Sequence, residues 1–338
     1  MHITTLGIDL AKQVFQLHGV DARGRVVLSR RVRRSQLVEA VASLPPCVIG
    51  MEACGSAHHW GRAFEQLGHI VKLMSPQYVK PYVKTNKNDA RDAEAICEAV
   101  SRPTMRFVSI KTVDQTDLQA VHRSRTLLVK TRTAFINQIR GLLAEYGLVM
   151  AQSPEKVRPA LVRFLDDAQT GLTPFARETF SELYEQLVAL EQRIAQVNQR
   201  LDRVFKTHPV CRRLAAVPGI GPLTATALLA AVSRPHVFQN GRHLAAWLGL
   251  VPRQFSSGGK VKLGGLSKRG NRYLRTLLIH GARAVVQRAA HKTDARARWM
   301  WALKCRKGTN VAAVAVANKN ARVIWALLAH DDEYRKPA

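Results

Sequence analysis

The sequence has few of the residues that build disulfide frameworks or small zinc sites. Its five cysteines are odd in number and none lies in a Cys-x-x-Cys pair, the spacing on which many zinc and redox sites depend. They predict reduced, mostly buried thiols in a cytoplasmic protein. The first apolar segment, residues 3–10, carries Asp9 and follows no basic leader, so a secretory signal peptide is not expected.

Aromatic side chains, uninterrupted apolar runs and nucleotide-binding loops are also scarce or absent. Aromatic residues make up 6% of the chain, which argues against stacking on extended single strands as its main mode of binding. The apolar stretch at 311–328 is interrupted by Asn-Lys-Asn-Ala-Arg, so no membrane span is expected. The sequence contains no Gly-x-x-x-x-Gly-Lys-Ser/Thr loop, which is consistent with chemistry that needs no ATP.

Acidic residues are outnumbered by basic ones. The chain has 52 Lys and Arg against 24 Asp and Glu, a net charge of +28. Binding to a polyanion is favoured by such a charge, because each neutralised phosphate releases condensed counterions. Residues 251–308 hold fifteen Lys or Arg and one acid, Asp294. The composition therefore predicts a nucleic acid as partner, with this segment in contact with it.

The apolar pattern predicts an α/β region at the start of the chain. Residues 3–8, 14–20 and 25–32 alternate or run apolar between polar turns, as in a three-stranded meander. Two further short strands, 47–51 and 69–73, alternate with helical segments. The fold expected for this region is α/β, and the rest of the chain reads as mostly α-helical.

Three regions are expected, 1–108, 109–207 and 208–338. In the middle region apolar residues recur at alternating spacings of four and three, the pattern of a coiled-coil seam. The seam residues are Leu183, Leu187, Leu190, Ile194, Val197, Leu201 and Val204. Two interpretations remain open, a coiled coil between chains and one helix of an antiparallel hairpin within a chain.

Four acidic residues form the first candidate site. Asp9 ends the first strand and Glu52 follows the fourth, while Asp89 and Asp92 are three apart on one face of a helix. An open set of carboxylates favours hard cations such as Mg²⁺ or Mn²⁺. Two such ions stabilise the attacking and leaving oxygens in phosphoryl transfer. The alternative is that each acid is a solvated charge or, for Asp89 above all, a helix cap.

A serine in a basic, glycine-rich segment forms the second candidate site. Ser256 and Ser257 precede Gly258 and Gly259, and glycines there let the backbone approach a phosphate. Taken alone, this segment reads as a flexible loop. No His–Asp partner accompanies it, so activation would come from a metal ion or from nearby cations. The cations expected to contact nucleic acid are Arg253, Lys260, Lys262, Lys268, Arg269 and Arg272.

A glycine-rich turn between two helical segments, residues 214–227, resembles a helix-hairpin-helix motif. Gly219 and Gly221 flank Ile220, and in such a motif the backbone N–H groups approach a phosphate at a helix N-terminus. A tight turn between packed helices requires the same glycines for structural reasons alone. The sequence leaves both interpretations open.

Taken together, these motifs resemble the transposases and invertases of the Piv-type insertion-sequence family, which combine a DEDD site with a serine. The resemblance covers nearly the whole chain. It rests on Gly-Ile-Asp-Leu-Ala-Lys at 7–12, Met-Glu-Ala at 51–53, Lys-Asn-Asp-Ala-Arg-Asp-Ala at 87–93, the turn at 217–222, and the segments 248–259 and 266–275.

The resemblance implies a function for each site. Asp9, Glu52, Asp89 and Asp92 would be the metal tetrad of a RuvC-like domain with a ribonuclease-H fold. Ser257 would attack DNA and form a transient phosphoserine link, with the adjacent Ser256 as the alternative. It also implies double-stranded donor and target DNA, a structured non-coding bridge RNA that guides the protein, and dimers or tetramers.

Two other functions are compatible with the residues. A metal-dependent, junction-resolving endonuclease would use the carboxylates alone, with the serine segment only gripping phosphate. A non-catalytic architectural protein would use only the basic helices and the glycine turn. Substitutions of Ser257 and Asp9 distinguish these possibilities from a recombinase.

Overall fold

The computed structural model describes residues 2–84 and 88–335. The chain forms two compact units, the first comprising Met1–Thr116 and Ala231–Gln239 and the second Asp117–Ala230 and Asn240–Ala338. The boundary expected at 108 lies near the observed division after 116. The boundary expected at 207 lies inside the second unit. It falls between the helices Pro174–Thr207 and Pro209–Ala215, which one residue separates.

A six-stranded mixed sheet forms the centre of the first unit. Its strands are β1 Thr5–Asp9, β2 Val14–Val20, β3 Val26–Arg33, β4 Val48–Glu52, β5 Ile70–Met74 and β6 Phe107–Val108, in the order β3-β2-β1-β4-β5-β6. Strands β1, β4 and β5 are parallel and the other pairings are antiparallel. The predicted meander and the two following strands are confirmed. The sequence does not predict β6, because a strand of two residues is too short to show an apolar alternation.

Four helices accompany this sheet: α1 Leu37–Ala42, α2 Ala57–Gln66, α3 Pro76–Val79 and α4 Asp89–Val100. Helix α4 packs directly on the sheet. A Cβ atom added at Gly7 would overlap the Ala93 carbonyl, and one added at Gly50 would lie 2.8 Å from Val100 Cβ. Glycine in both central strands therefore lets the helix approach the two strands that end in Asp9 and Glu52.

The second unit is mostly helical. Its helices are α5 Val113–Ala144, which begins in the first unit, α6 Val157–Asp166, α7 Pro174–Thr207, α8 Pro209–Ala215, α9 Pro222–Ala231, α10 Gly241–Trp247, α11 Arg272–Gln287, α12 Ala295–Lys307 and α13 Thr309–Ala329. A two-stranded sheet, β7 Pro252–Gln254 and β8 Leu263–Leu266, completes it. A mixed α/β start followed by a mostly helical remainder agrees with the predicted fold class.

The predicted heptad seam lies on α7 and packs within the chain. Leu187, Ile194 and Leu201 are buried in the single chain. Helix α5 runs antiparallel beside α7, and Arg125 Nε donates to Asn198 Oδ1 at 2.6 Å. The structure therefore favours the intramolecular hairpin, since these three residues are not exposed to a second chain.

Helix α13 is long and apolar enough to cross a membrane, the one such helix among the described residues. It packs against α10, α11 and α12. Its Asn320 is fully buried, donates to the Pro218 carbonyl at 2.9 Å and accepts from Arg296. These are the contacts of a core helix in a folded unit, in which a buried amide is bonded to its neighbours.

Candidate active site

The parallel pairing of β1 and β4 places two of the predicted carboxylates side by side. Ile8 is in register with Met51, so Asp9 and Glu52 follow at the same edge of the sheet. Partial burial raises the pKa of the nearby Cys54 thiol, and the charges of Glu52 and Asp9 raise it further. Both carboxylates therefore act on one point at this edge.

The direction of α4 brings the other two predicted carboxylates toward this edge. Cys97 Sγ contacts the Thr5 carbonyl at 3.7 Å, while Ala93 lies against Gly7. Helix α4 thus runs antiparallel to β1, and its first turn, with Asp89 and Asp92, points toward the end of β1 that carries Asp9.

The N-terminus of α4 differs in detail from the prediction. The side chain of Asn88 accepts from the Arg91 N–H at 2.9 Å, so Asn88 caps the helix and the aspartates do not. Asp89 and Asp92 lie in the first turn, where they complement the positive end of the helix dipole. The first residue of the 87–93 motif lies outside the described residues.

The four carboxylates match a hard cation in donor type. Within residues 2–84 and 88–335, no three His, Cys, Asp or Glu side chains are gathered closely enough to hold a metal ion. The structure thus assembles the Asp9–Glu52 pair, and the helix-borne Asp89 and Asp92 stand apart from it.

The serine segment forms a β-hairpin, so the expectation of a flexible loop is wrong. Beyond the ends of β7 and β8, Phe255 N–H donates to the Lys262 carbonyl at 2.8 Å and Lys260 N–H donates to the Ser257 carbonyl at 3.0 Å. Gly258 and Gly259 have φ angles of +53° and +75°. Two consecutive positive φ values define a type I′ turn, whose twist matches that of the flanking strands.

The hairpin register separates the two candidate serines. Side chains alternate between the faces of a strand, and Ser257 pairs with Lys260. Ser257 therefore shares one face with Arg253, Phe255, Lys260 and Lys262. Ser256 lies on the opposite face, and the Gln254 side chain donates to its Oγ at 2.9 Å.

The six predicted cations are available to a ligand. Arg253, Lys260, Lys262, Lys268, Arg269 and Arg272 are all exposed, and in the described part of the chain none forms a salt bridge. Three of them share the face of Ser257. This arrangement places unneutralised positive charge beside a serine hydroxyl, which is suited to binding a phosphodiester.

Two transposase families match the chain. A DEDD-type transposase family named for IS110 matches residues 6–148, and the transposase IS116/IS110/IS902 family matches residues 211–299. A probable family 20 transposase of Pseudomonas aeruginosa is 50% identical over 99% of both chains. The chain belongs to the IS116/IS110/IS902 transposase family.

Other relatives agree. The transposase for insertion sequence element IS1111A of Coxiella burnetii is 50% identical over 98% of this chain and 92% of its own. The transposase for IS1328 of Yersinia enterocolitica is 38% identical over 99% of both chains. Enzymes of this family catalyse DNA cleavage and strand transfer, and DEDD transposase domains generally depend on divalent metal ions.

A tight turn at the base of the serine hairpin was not foreseen from the sequence. Cβ atoms added at Gly249 and Gly270 would overlap the carbonyl oxygens of Arg269 and Trp247. Arg275 is buried and donates to the carbonyls of Leu248, at 3.0 Å, and Arg269, at 3.1 Å. The transposase thus anchors one end of its hairpin to α10 by backbone contact. The sequence signals for this turn are the glycines of Leu248-Gly249-Leu250 and Lys268-Arg269-Gly270.

Gly270→Ala is expected to destabilise the serine-bearing unit by at least about 2 to 3 kcal/mol, because the added methyl group must displace backbone and φ is +85°. Urea unfolding of the two proteins measures the difference. Gly265→Ala is the matched control, since a Cβ added there meets no atom within 4 Å. Equal stability of the two variants would contradict the packing described for this turn.

The glycine turn between α8 and α9 is explained in part by packing. Gly219 has φ of +92°, and its backbone abuts Gly281 of α11. Gly221 has open space around its Cα, and its carbonyl accepts from Thr224 N–H and Ala225 N–H at the start of α9. The structural interpretation therefore accounts for Gly219, whereas packing does not require a glycine at 221, where an added Cβ would meet no atom within 4 Å.

A buried histidine connects α5 to α9 and α11. His122 Nε2 lies 3.1 Å from Thr226 Oγ1 and Nδ1 lies 3.0 Å from the Tyr273 hydroxyl. The Thr226 hydroxyl donates its proton to the Pro222 carbonyl at 2.6 Å, so toward His122 Nε2 its oxygen can only accept a hydrogen bond. The bonding assigns the proton of neutral His122 to Nε2, with Tyr273 donating to Nδ1. Burial, and then the charge of Arg125, lowers the pKa of His122 to about 4.

This histidine is expected to make the second unit less stable in mild acid. Its folded pKa is about 4 and its ordinary value 6.5, so between these values the unfolded chain binds the proton preferentially. Neutral His122 therefore contributes fully to the free energy of unfolding above pH 6.5. This contribution is lost as the pH falls toward 4, and the loss is about 2 kcal/mol at pH 5. Urea unfolding at pH 7 and pH 5 tests this, with His122→Gln as the reference. The same pH dependence in both proteins would disprove it.

Proposed function

We propose that this transposase is a site-specific DNA recombinase of a bacterial insertion sequence, and that Ser257 is its nucleophile. The observation that carries the proposal is the hairpin register. Ser257 begins the type I′ turn and shares a face with Arg253, Lys260 and Lys262. The first unit, with its mixed sheet and carboxylate edge, would be a RuvC-like domain with a ribonuclease-H fold.

The proposed reaction exchanges one phosphoester for another. A bond forms between Ser257 Oγ and the scissile phosphorus, and the bond from that phosphorus to one DNA oxygen breaks. The serine proton passes to solvent and the released DNA oxygen takes up a proton as a hydroxyl. A free DNA hydroxyl later attacks the phosphoserine and gives up its proton to solvent, the bond from phosphorus to Ser257 Oγ breaks, and Oγ takes up a proton, so that the DNA is rejoined and the serine regenerated. The number of phosphoester bonds is unchanged throughout, so no ATP is needed.

The carboxylates Asp9, Glu52, Asp89 and Asp92 would hold Mg²⁺ or Mn²⁺. When bound, such an ion stabilises negative charge on the phosphate and lowers the pKa of a coordinated hydroxyl. Arg253, Lys260 and Lys262 would hold the phosphate oxygens beside Ser257, with Lys268, Arg269 and Arg272 contacting the flanking backbone. Gly221 would admit a further phosphate at the start of α9.

The proposed partners are double-stranded donor and target DNA, a structured guide RNA, and further copies of this chain in a dimer or tetramer. The net charge of +28 supports binding to nucleic acid. The guide RNA and the assembly are inferred from the family resemblance. The protein would act in the bacterial cytoplasm, on the nucleoid.

The test is a search for protein–DNA adducts that resist SDS, in cells carrying the gene with its native flanking DNA. We expect an adduct that nuclease digestion reduces to a phosphoserine peptide containing Ser257. Co-purified RNA is sequenced from the same preparation, and one discrete RNA encoded in the flank is expected. DNA cleavage without any adduct would instead identify a metal-dependent endonuclease.

A further inference from the structure

An exposed aromatic ring lies on the same face as Ser257, two residues before it. Phe255 is 60% exposed, and its backbone pairs with Lys262. Strand alternation places it between Arg253 and Ser257 on the basic face. The ring therefore contributes little to the core, and most of its surface is available to a ligand.

The Phe255 ring lies against Gly264 of the facing strand. A Cβ atom added at Gly264 would lie 3.2 Å from Phe255 Cε2 and 3.8 Å from Arg253 Cβ. The ring therefore rests over a cross-strand position that has no side chain, Gly264, while its remaining surface faces outward. An aromatic ring held in this way is oriented before a ligand arrives, so little conformational entropy is lost on binding.

The surroundings favour a nucleic acid as ligand, and the adjacent Ser257, under the proposed function, makes that ligand the DNA that is cut. Arg253 and Lys262 flank the ring on the same face, and these cations suit the phosphates on either side of a base step. Phe255 and Ser257 are two apart on a strand and are therefore separated by about 7 Å, so a ring placed against a base step leaves the serine near the backbone of that step. Apolar side chains that insert between base pairs unstack the step and kink the duplex.

We propose that Phe255 inserts against the base step beside the scissile phosphate and so positions that phosphate for Ser257. The proposal rests on the proposed function of Ser257 and adds a positioning residue to it. Unstacking at this step would shift the backbone and hold the scissile phosphate in line with the serine hydroxyl. The ring itself takes no part in the covalent step.

Base unstacking is measured with a duplex of the element terminus and its flank, carrying 2-aminopurine at single positions. With wild-type protein we expect a severalfold rise in fluorescence only at the position beside the cut. Phe255→Ala is expected to abolish this rise and to lower the rate of adduct formation at least about tenfold, with DNA affinity changed less than about threefold because the cations remain. Phe255→Trp is expected to retain the rise.

Val261→Ala is the matched control, because Val261 is 72% exposed on the opposite face of the same hairpin. If it lowers the fluorescence rise as much as Phe255→Ala does, the proposal is wrong. A wild-type complex with no rise beside the cut overturns it without reference to any variant. Dimers without DNA that are lost on Phe255→Ala would also overturn it, since the ring would then bind a second copy.

Ser257→Ala separates this proposal from the one on which it rests. If both are right, this variant forms no adduct and keeps the fluorescence rise. If the fluorescence rise depends on Phe255 but the protein never forms an adduct, the insertion of Phe255 is supported and the serine mechanism is refuted. An adduct through Ser257 without a fluorescence rise would support the serine mechanism and refute the insertion of Phe255.

Discussion

Ser257→Ala is expected to lower formation of the covalent protein–DNA adduct by at least about 10³-fold, because no other hydroxyl shares its position on the basic face. Ser256→Ala is the internal control. Ser256 lies on the opposite face and is bonded to the Gln254 side chain, so the adduct should form at a rate within about threefold of wild type. Radiolabelled DNA on a denaturing gel measures both.

The reverse pattern, with the adduct lost in Ser256→Ala and kept in Ser257→Ala, would make Ser256 the nucleophile and contradict the proposal for Ser257. Strand cleavage that persists at the wild-type rate in Ser257→Ala would show that the serine only holds phosphate. The enzyme would then be a metal-dependent nuclease, since the carboxylates alone would support hydrolysis. Unfolding by urea confirms that each variant is folded, and both serines are exposed, so neither substitution removes core contacts.

Asp9→Asn is expected to lower strand cleavage by at least about 10³-fold, because an amide oxygen is neutral and no longer balances the charge of a divalent cation. DNA affinity should change less than about threefold, since the Lys and Arg residues that supply it lie elsewhere in the chain. Cleavage of labelled duplex and a filter-binding isotherm at fixed salt measure the two quantities. The substitution keeps side-chain size at the end of β1, so the sheet is preserved.

Glu39→Gln is the control for Asp9→Asn. It removes an exposed carboxylate from α1 of the same unit and should leave cleavage unchanged. If Asp9→Asn has equally little effect, both enzymatic mechanisms fail and a non-catalytic architectural protein accounts for the basic surface. If Asp9→Asn abolishes DNA binding together with cleavage, the carboxylate edge would be structural, since loss of one metal ligand alone should spare the phosphate contacts.

Local sequence sufficed wherever a pattern is repeated over a few residues. The alternation in residues 14–20 and the apolar run that ends at Met51 gave the strands, because side chains alternate in a half-buried strand. A helix carrying Asp89 and Asp92 was also predictable, although Asn88 caps it and the aspartates do not. The two-residue strand at 107–108 and the hairpin around Ser257 were missed, since exposed strands carry no apolar alternation.

The candidate site was predictable as a list of residues and not as an arrangement. Each of Asp9, Glu52 and Ser257 stands in a short motif that a single sequence displays. The face on which Ser257 lies depends on its pairing with Lys260 across the turn. The contact that fixes Phe255 depends on Gly264, nine residues away.

By itself the sequence determined the charge of the protein, its α/β and helical regions, and the candidate residues for the chemistry. Only the tertiary structure decided that the seam through Ile194 packs within the chain, that Ser257 and Ser256 face opposite ways, and that Arg275 and Gly270 lock the base of the hairpin. The physical reason is that charge and periodicity are local properties of a chain. Strand register and close backbone packing depend on residues far apart in sequence, and they are fixed only when those residues meet.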